Sequence, residues 1–171
     1  MKIKDNYLPF DDYIKLSKSL LGESFPWFYS PWVVDPEDRY EKNELDHYQL
    51  YHLFYDNAQE PYVQSGYLFE TLKPLLQVIG CDIRALVRIK ANNMLRRSRI
   101  IKHGYHVDYP WDDCTTSIYY VNTNDGYTEF EDGTKVESVA NRLITFPSSM
   151  KHTGTTCTDS KNRVVINFNY F

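Results

Sequence analysis

Apolar and polar side chains alternate along much of the second half of the chain. In residues 86–92 every second position is apolar, at Val87, Ile89 and Ala91. A period of two predicts a β-strand with one packed face and one polar face. Residues 163–170 show the same alternation and are rich in β-branched and aromatic side chains, which predicts another strand, buried near the centre of the domain.

Two stretches in the first half have helical spacing instead. Asp11 or Asp12, which follow a proline by two and three positions, can cap a helix that extends to about Leu21. A second helix is expected from about residue 65 to residue 79, with Pro74 bending it or marking a late start. A glycine follows each predicted helix, and glycine favours a helix end.

The order of these patterns predicts the fold class. Short strands are expected at residues 25–29 and 48–55, with a solvated acidic loop at residues 35–46. From residue 84 onward strand patterns dominate, with turn sequences at 124–126 and 131–133. This order predicts a mainly β fold in which N-terminal helices flank a double-stranded β-helix, a cupin-like jelly-roll sandwich with an open mouth.

Length and composition fit one domain. A chain of 171 residues can bury a sizeable core by itself, so residues 1–171 are predicted to form a single domain. Within it, residues 1–82 would supply the helical buttress and edge strands, and residues 83–171 the jelly-roll core. Three scattered cysteines, the lack of a signal-peptide pattern and the lack of a long apolar run predict a cytoplasmic protein with no membrane partner.

Four residues carry the candidate chemistry: His106, Asp108, His152 and Arg163. In an extended segment, His106 and Asp108 point to the same side, as two ligands of one ion must. Two imidazoles and one carboxylate can hold one face of a ferrous ion and leave other positions open. Arg163 opens an apolar strand, where a buried guanidinium needs an anionic partner. A dicarboxylate would supply that partner.

These residues are part of a longer resemblance. The second half of the chain resembles the 2-oxoglutarate- and Fe(II)-dependent oxygenases, in particular the compact prolyl-4-hydroxylase-like branch and its small single-domain members in marine bacterial viruses. The likeness covers roughly residues 83–171. It rests on six segments in order, namely His106-Val107-Asp108, Ile118-Tyr119-Tyr120-Val121-Asn122, Gly126-Tyr127-Thr128-Glu129-Phe130, Asn141-Arg142-Leu143 through Phe146-Pro147, His152 and Arg163.

The resemblance implies specific roles. The His106, Asp108 and His152 side chains would bind Fe(II). Arg163 would hold the distal carboxylate of 2-oxoglutarate, with help from the Tyr120 hydroxyl. O2 would be the other cosubstrate, and hydroxylation the expected outcome, because a halogenating relative would carry a small residue in place of the aspartate.

Three further residues receive roles from the same resemblance. Asn92 would contact the metal-bound end of 2-oxoglutarate, Arg88 would contact the primary substrate, and Trp111 would belong to a mobile substrate loop. A solvated polar face for Arg88 and Asn92, and simple packing for Trp111, are the alternatives. Prolyl residues in a peptide are the leading substrate prediction, while a free amino acid, another small metabolite or a nucleobase stays open.

Two alternatives accompany this interpretation. A His-x-Asp pair alone is a weak signal in a chain with five histidines, so a non-catalytic, cupin-like metal-binding module must also be considered. In addition, residues 83–107 contain seven basic residues and no acid. This basic segment could attract an anionic substrate, or be a solvated loop neutralised by residues 35–46. The net charge of −4 disfavours a nucleic-acid partner, and the oligomeric state is not predicted.

Overall fold

The computed structural model describes residues 1–34, 37, 44–58, 60–61, 63–80 and 83–171. Helix α1 spans Phe10–Leu21 and helix α2 spans Tyr67–Ile79, while Glu44–Asp46 forms a short 3-10 turn. The strands described are β1 (Lys2–Lys4), β2 (Phe28–Ser30), β3 (Gln49–Asp56), β4 (Val63–Gln64), β5 (Leu86–Leu95), β6 (Thr115–Tyr120), β7 (Tyr127–Phe130), β8 (Lys135–Glu137), β9 (Arg142–Pro147), β10 (His152–Gly154) and β11 (Asn162–Tyr170).

Two antiparallel sheets form a sandwich. Among the described residues, the larger sheet has the strand order β1-β9-β6-β11-β5-β3-β2, with β4 paired to β3, and the smaller sheet has the order β10-β7-β8. Neither described helix is long enough and apolar enough to cross a bilayer. The mainly β architecture with two antiparallel sheets confirms the predicted double-stranded β-helix.

Apolar side chains pack in two layers on either side of the larger sheet. On its outer face, helices α1 and α2 pack against β5 and β11 through buried residues that include Leu16, Leu20, Leu72, Ile89 and Phe168. Between the sheets, a second cluster contains Ile118, Phe130, Ile144, Phe146 and Val165. Strands β5 and β11 therefore turn one face to the helices and leave the other facing the space between the sheets.

The two long strands follow the predicted pattern. Val87, Ile89 and Ala91 of β5 are buried, and their neighbours on the same strand are only partly buried. The alternation matches the period of two in the sequence, because a strand that covers a core on one side must place every second residue there.

The first half departs from prediction in its boundaries. Helix α1 begins at Phe10 with Pro9 at the N-cap, and no side chain caps it. The expected cap by Asp11 or Asp12 is therefore wrong: both lie inside the first turn, where negative charge still favours the helix dipole. Helix α2 begins two residues later than expected and accommodates Pro74 internally.

Other predictions for the first half differ from the structure or fall on residues that it does not describe. Strand β2 starts at Phe28, and Phe25 is buried in the helix-side core instead of lying in a strand. The acidic loop at residues 35–46 lies largely outside the described residues. Cys114 and Cys157 are buried free thiols, and residue 81 is not described. The division at residue 82 and the cytoplasmic location stay predictions.

Candidate metal and cosubstrate site

The His-x-Asp motif lies beside β10 and is not part of a regular strand. His106 forms an isolated antiparallel bridge with His152, the first residue of β10. Each of the two backbone N–H groups donates to the carbonyl of the other residue at 3.0 Å. The N–H of Asp108 donates to the carbonyl of Ser148 at 3.2 Å. These bonds hold the motif against the first residue of β10 and against the connection between β9 and β10.

Three candidate ligand atoms converge at this point. One imidazole nitrogen each of His106 and His152 and one carboxylate oxygen of Asp108 all lie within 4.8 Å of one another. In the described part of the chain, no other group of three or more His, Cys, Asp or Glu side chains has this spacing. The structure thus brings the three residues selected from the sequence close enough together to contact one ion.

Backbone carbonyls fix both imidazoles. Nδ1 of His106 lies 3.4 Å from the carbonyl oxygen of Gly104, and Nδ1 of His152 lies 3.0 Å from that of Met150. A carbonyl only accepts, so each Nδ1 carries the hydrogen and each Nε2 keeps a lone pair for a metal. Burial, together with the nearby His152, lowers the pKa of His106 to about 4, which keeps this ring neutral at physiological pH.

Three donors hold the carboxylate of Asp108, whose side chain is 3% exposed. Oδ2 accepts from the Thr116 hydroxyl at 2.8 Å and from the Asn169 amide at 3.0 Å, while Nη2 of Arg88 lies 3.2 Å from Oδ1. Burial by itself would raise the pKa of Asp108, but the nearby His152, Arg88 and the bond from Asn169 hold it below its ordinary value. Asp108 is therefore an oriented carboxylate.

Arg163 lies near the start of β11, and its side chain is buried, with 2% of the residue exposed. Its Nε donates to the Ser138 hydroxyl at 2.7 Å and its Nη2 to the Thr128 hydroxyl at 3.1 Å. Burial lowers the pKa of this guanidinium, yet arginine stays charged in proteins. Among the described residues its hydrogen-bond partners are hydroxyls, and no carboxylate pairs with it. The predicted anionic partner is therefore not supplied by the described residues.

The Thr128 hydroxyl lies between Arg163 and Tyr120. It accepts from Nη2 of Arg163 and also from the Tyr120 hydroxyl, at 2.8 Å. Tyr120 is fully buried, with Arg163 5.7 Å from its ring centre, and it does not line the cavity, whereas Thr128 does. A direct contact of Tyr120 with 2-oxoglutarate stays a prediction. In this structure Tyr120 orients Thr128, whose own hydroxyl hydrogen is left for a ligand.

Gly126 allows Arg163 to lie where it does. A Cβ at position 126 would come within 2.6 Å of both Cδ of Arg163 and the carbonyl oxygen of Thr156. We expect Gly126→Ala to lower the free energy of unfolding by about 1–3 kcal/mol, as overpacking does, and to weaken 2-oxoglutarate binding because the guanidinium is displaced. Thermal unfolding and ligand titration measure the two effects. Gly80→Ala is the matched control, since nothing lies within 4 Å of a Cβ there; equal behaviour of the two variants would contradict the prediction.

A cavity of about 190 Å³ connects these groups. It opens between the two sheets, and its walls include Arg88, Lys90, Asn92, His103, His106, Asp108, Thr128, His152, Arg163 and Asn167. The candidate metal ligands and the buried guanidinium therefore face one common space.

Unpartnered polar atoms cluster on the wall of this cavity. Oδ1 of Asn92, Oδ1 of Asn167, Oε1 of Gln49 and Nε2 of His103 are buried and have no hydrogen-bond partner among the described residues. Leaving a buried polar atom unpaired costs free energy, so such atoms are rare in folded proteins. Their concentration on one wall indicates a cavity built for a polar ligand.

The remaining predicted site residues divide into two groups. Arg88 and Asn92 line the cavity, and Arg88 also donates to Asn169 at 3.1 Å. Trp111 does not line it; its ring stacks on Tyr109 at 4.6 Å and on Phe171 at 5.7 Å. The predicted role of Trp111 in a mobile substrate loop stays a prediction.

Sequence reasoning did not select several cavity residues. Thr128 lies inside the motif Gly126-Tyr127-Thr128-Glu129-Phe130, and Lys90 and Asn167 lie on the polar faces of two strands whose alternation was predicted. The sequence did not show which groups these three side chains would contact. His103 is absent from the ligand cluster, yet it lines the cavity, and its Nδ1 lies 3.4 Å from that of His47.

Three of the seven basic residues in the basic segment pair with carboxylates of described residues. Arg88 pairs with Asp108 at 3.2 Å, Lys102 with Glu129 at 3.1 Å, and Arg99 with Asp46 at 3.6 Å. In the described part of the chain, the contact with Asp46 is the one that matches the predicted counter-charge from residues 35–46. These pairs do not include Lys90.

Solved structures resemble this one, although sequences do not. No protein-family model matches the chain, and no curated protein sequence matches it. A prolyl hydroxylase from Trichoplax adhaerens, in complex with a hypoxia inducible factor oxygen degradation domain peptide fragment, aligns with a TM-score of 0.66 and 14% identity over 99% of this chain and 82% of its own. A prolyl-4-hydroxylase from Pseudomonas putida aligns with a TM-score of 0.56 and 12% identity over 99% of this chain and 91% of its own.

A third structure extends the comparison beyond hydroxylases. The non-haem α-ketoglutarate-dependent epimerase SnoN of nogalamycin biosynthesis aligns with a TM-score of 0.62 and 10% identity over 99% of this chain and 76% of its own. At such identities the likeness establishes a shared fold. This chain therefore has the fold of proteins that include 2-oxoglutarate-dependent Fe(II) oxygenases and prolyl hydroxylases.

Proposed function

We propose that this protein is a 2-oxoglutarate- and Fe(II)-dependent oxygenase that hydroxylates a primary substrate. The observation that carries the proposal is that one cavity contains both the His106, Asp108 and His152 cluster and Arg163, a buried guanidinium with no carboxylate partner in the described part of the chain. A structural metal site alone would not require that arginine. The shared fold with oxygenases supports the same conclusion.

The residues present fit both groups. The donor set of two imidazoles and one carboxylate suits Fe(II) and leaves coordination positions for other ligands. Nη1 of Arg163 and the Thr128 hydroxyl are donors suited to the distal carboxylate of 2-oxoglutarate. Asn92, with its unpartnered side-chain oxygen, would pair with the metal-bound end through its amide or through an intervening water.

The bound groups would supply the oxidising chemistry: 2-oxoglutarate and O2 are converted to succinate and CO2 as one oxygen atom enters a substrate C–H bond. The protein's part is orientation. Asp108 stays ionised and fixed by three donors, and both Nδ1–H groups point away from the ion. Phe146 packs its ring 4.9 Å from that of His152, which keeps water from one side of the site.

The primary substrate is assigned only by class. A solved structure with the same fold is a prolyl hydroxylase bound to a peptide fragment, which favours a prolyl residue in a peptide, with a small metabolite as the alternative. Arg88 lines the cavity and is placed to meet a substrate next to Asp108, and Trp111 would act from the loop that follows the motif.

Conversion of 2-oxoglutarate to succinate tests the reaction class. Purified protein with Fe(II), ascorbate and O2 should release succinate from 2-oxoglutarate even without a primary substrate, at a low rate. Omission of iron, or replacement of iron by Zn(II), should abolish the release. If iron binds stoichiometrically but no succinate forms, with or without candidate substrates, the non-catalytic metal-binding module becomes the better description.

A further inference from the structure

Lys90 lies at the junction of two cavities. On β5 it faces Asn167 of β11 on one side and Leu53 of β3 on the other. It lines the inner cavity with the candidate metal ligands and also an outer cavity of about 530 Å³ that includes Trp32, Gln49 and Tyr105. His106 lines both spaces as well. A molecule that approaches the metal site from the outer cavity would therefore pass Lys90.

The ammonium group of Lys90 is not paired with a carboxylate of any described residue. Within the described residues, no Asp or Glu oxygen lies within 4.0 Å of its Nζ, which lies instead 5.2 Å from the centre of the Tyr51 ring. Asp108 and Asp56 are close enough to favour its charge, but burial and the repulsion from Arg88 outweigh them and lower the pKa of Lys90 to about 8. At neutral pH it is still mainly protonated, so a partly desolvated positive charge remains uncompensated.

The surroundings of Lys90 favour an anion further. Among the described residues, no Asp or Glu lines the outer cavity, which contains a second lysine, Lys151. That lysine is already paired with Glu131 at 3.2 Å, and Arg88 is paired with Asp108. Of these three cationic side chains, Lys90 is therefore the one that is not paired with a carboxylate of the described residues. Its single positive charge, beside neutral amides, suits a carboxylate better than a doubly charged phosphate.

The cosubstrate does not account for this charge. Arg163 faces Met94 in the β11–β5 register, and Met94 is four positions from Lys90. At a rise of roughly 3.3 Å per residue, about 13 Å of strand separate the backbone positions of the two cationic side chains, and this backbone span is longer than a five-carbon diacid. A 2-oxoglutarate held at Arg163 and at the metal ligands would leave Lys90 for another molecule.

We propose that Lys90 binds a carboxylate of the primary substrate, so that this protein acts on an organic acid. The inference rests on the proposed oxygenase function and, for its primary substrate, selects the small-metabolite alternative over a prolyl residue in a peptide. Lys90 would hold the acid at the boundary between the outer and inner cavities, with the rest of the molecule directed at the metal.

Binding of acids and their matched amides tests this without turnover. Protein loaded with Zn(II) and saturating 2-oxoglutarate is titrated calorimetrically with hexanoate, N-acetyl-L-proline and N-acetyl-L-leucine, and with the amide of each. At least one acid should bind about tenfold or more tightly than its amide, the ratio typical of a charge-assisted hydrogen bond. Lys90→Met should remove that preference, and Lys90→Arg should restore most of it.

Controls separate the possible failures. Lys73→Met, an exposed lysine of α2, should behave as the unaltered protein. Equal affinities within all three pairs, or no binding of any acid, would overturn the proposal, as would a loss of 2-oxoglutarate affinity in Lys90→Met as large as the loss for the acid. Succinate release by the iron-loaded protein is measured in parallel, so a failure of the oxygenase function is recognised separately from a failure of acid recognition.

Discussion

Removal of either candidate imidazole ligand should abolish both Fe(II) binding and 2-oxoglutarate turnover. In His106→Ala and His152→Ala, one of three donors that lie within 4.8 Å of one another is missing. Losing a partner that only orients a ligand typically costs about 10–100-fold in metal affinity, so loss of a ligand itself should exceed that range. Metal analysis after anaerobic dialysis and succinate release measure the two effects.

The control for these variants is another buried histidine. His52 bonds to the Pro26 carbonyl and the Ser65 hydroxyl, both at 2.8 Å, on the helix side of the larger sheet. His52→Gln should retain iron and turnover if it folds. Asp108→Ala should keep weak iron binding through the two imidazoles but lose hydroxylation. A folded His106→Ala or His152→Ala protein with normal turnover would refute the ligand assignment.

Replacement of Arg163 should weaken 2-oxoglutarate binding and leave iron binding intact. Arg163→Met removes a buried charge whose described partners are two hydroxyls, and Arg163→Lys retains the charge but loses the planar fork. A charge-assisted hydrogen bond contributes about 1.5–3 kcal/mol, so affinity should fall by roughly tenfold to a hundredfold or more in the methionine variant, and by less in the lysine variant. Anaerobic titration of the iron-loaded protein with 2-oxoglutarate measures this.

Two comparisons sharpen that result. Arg142→Met removes an arginine that pairs with Asp5 outside the cavity and should leave the affinity unchanged. Tyr120→Phe removes a neutral donor to Thr128 and should cost less than Arg163→Met does. Unchanged 2-oxoglutarate affinity in Arg163→Met would remove the main support for the oxygenase function.

The sequence predicted the parts of the fold that depend on one-sided burial. In β5 and β11 the alternation of apolar and polar residues follows directly from covering a core on one face, so both strands and the facing of Arg163 were predictable. The end of α1 was predictable for a similarly local reason, the glycine that follows Leu21. Its start was not, because Pro9 took the position that a polar cap would have used.

The candidate site was predictable as a set of residues but not as a set of partners. Chain order and residue type select His106, Asp108, His152 and Arg163. Their supports, such as the Thr116 hydroxyl on Asp108 or the Thr128 hydroxyl on Arg163, depend on which strands become neighbours. Lys90 shows the same limit: the strand face on which it lies was predictable, whereas its lack of a carboxylate partner among the described residues depends on the tertiary structure.

The bridge between His106 and His152 has a consequence for the lifetime of the protein in a cell. It joins the long connection that precedes β6, anchored to the larger sheet through Asp108 and Asn169, to the short strand β10 of the smaller sheet. An ion bound there would cross-link the two halves of the sandwich, and at a free metal concentration 100 times its dissociation constant it would stabilise the fold by about 2.7 kcal/mol. A shift of that size changes the fraction of unfolded chains available to proteases. Iron starvation would then reduce the abundance of the protein as well as its activity.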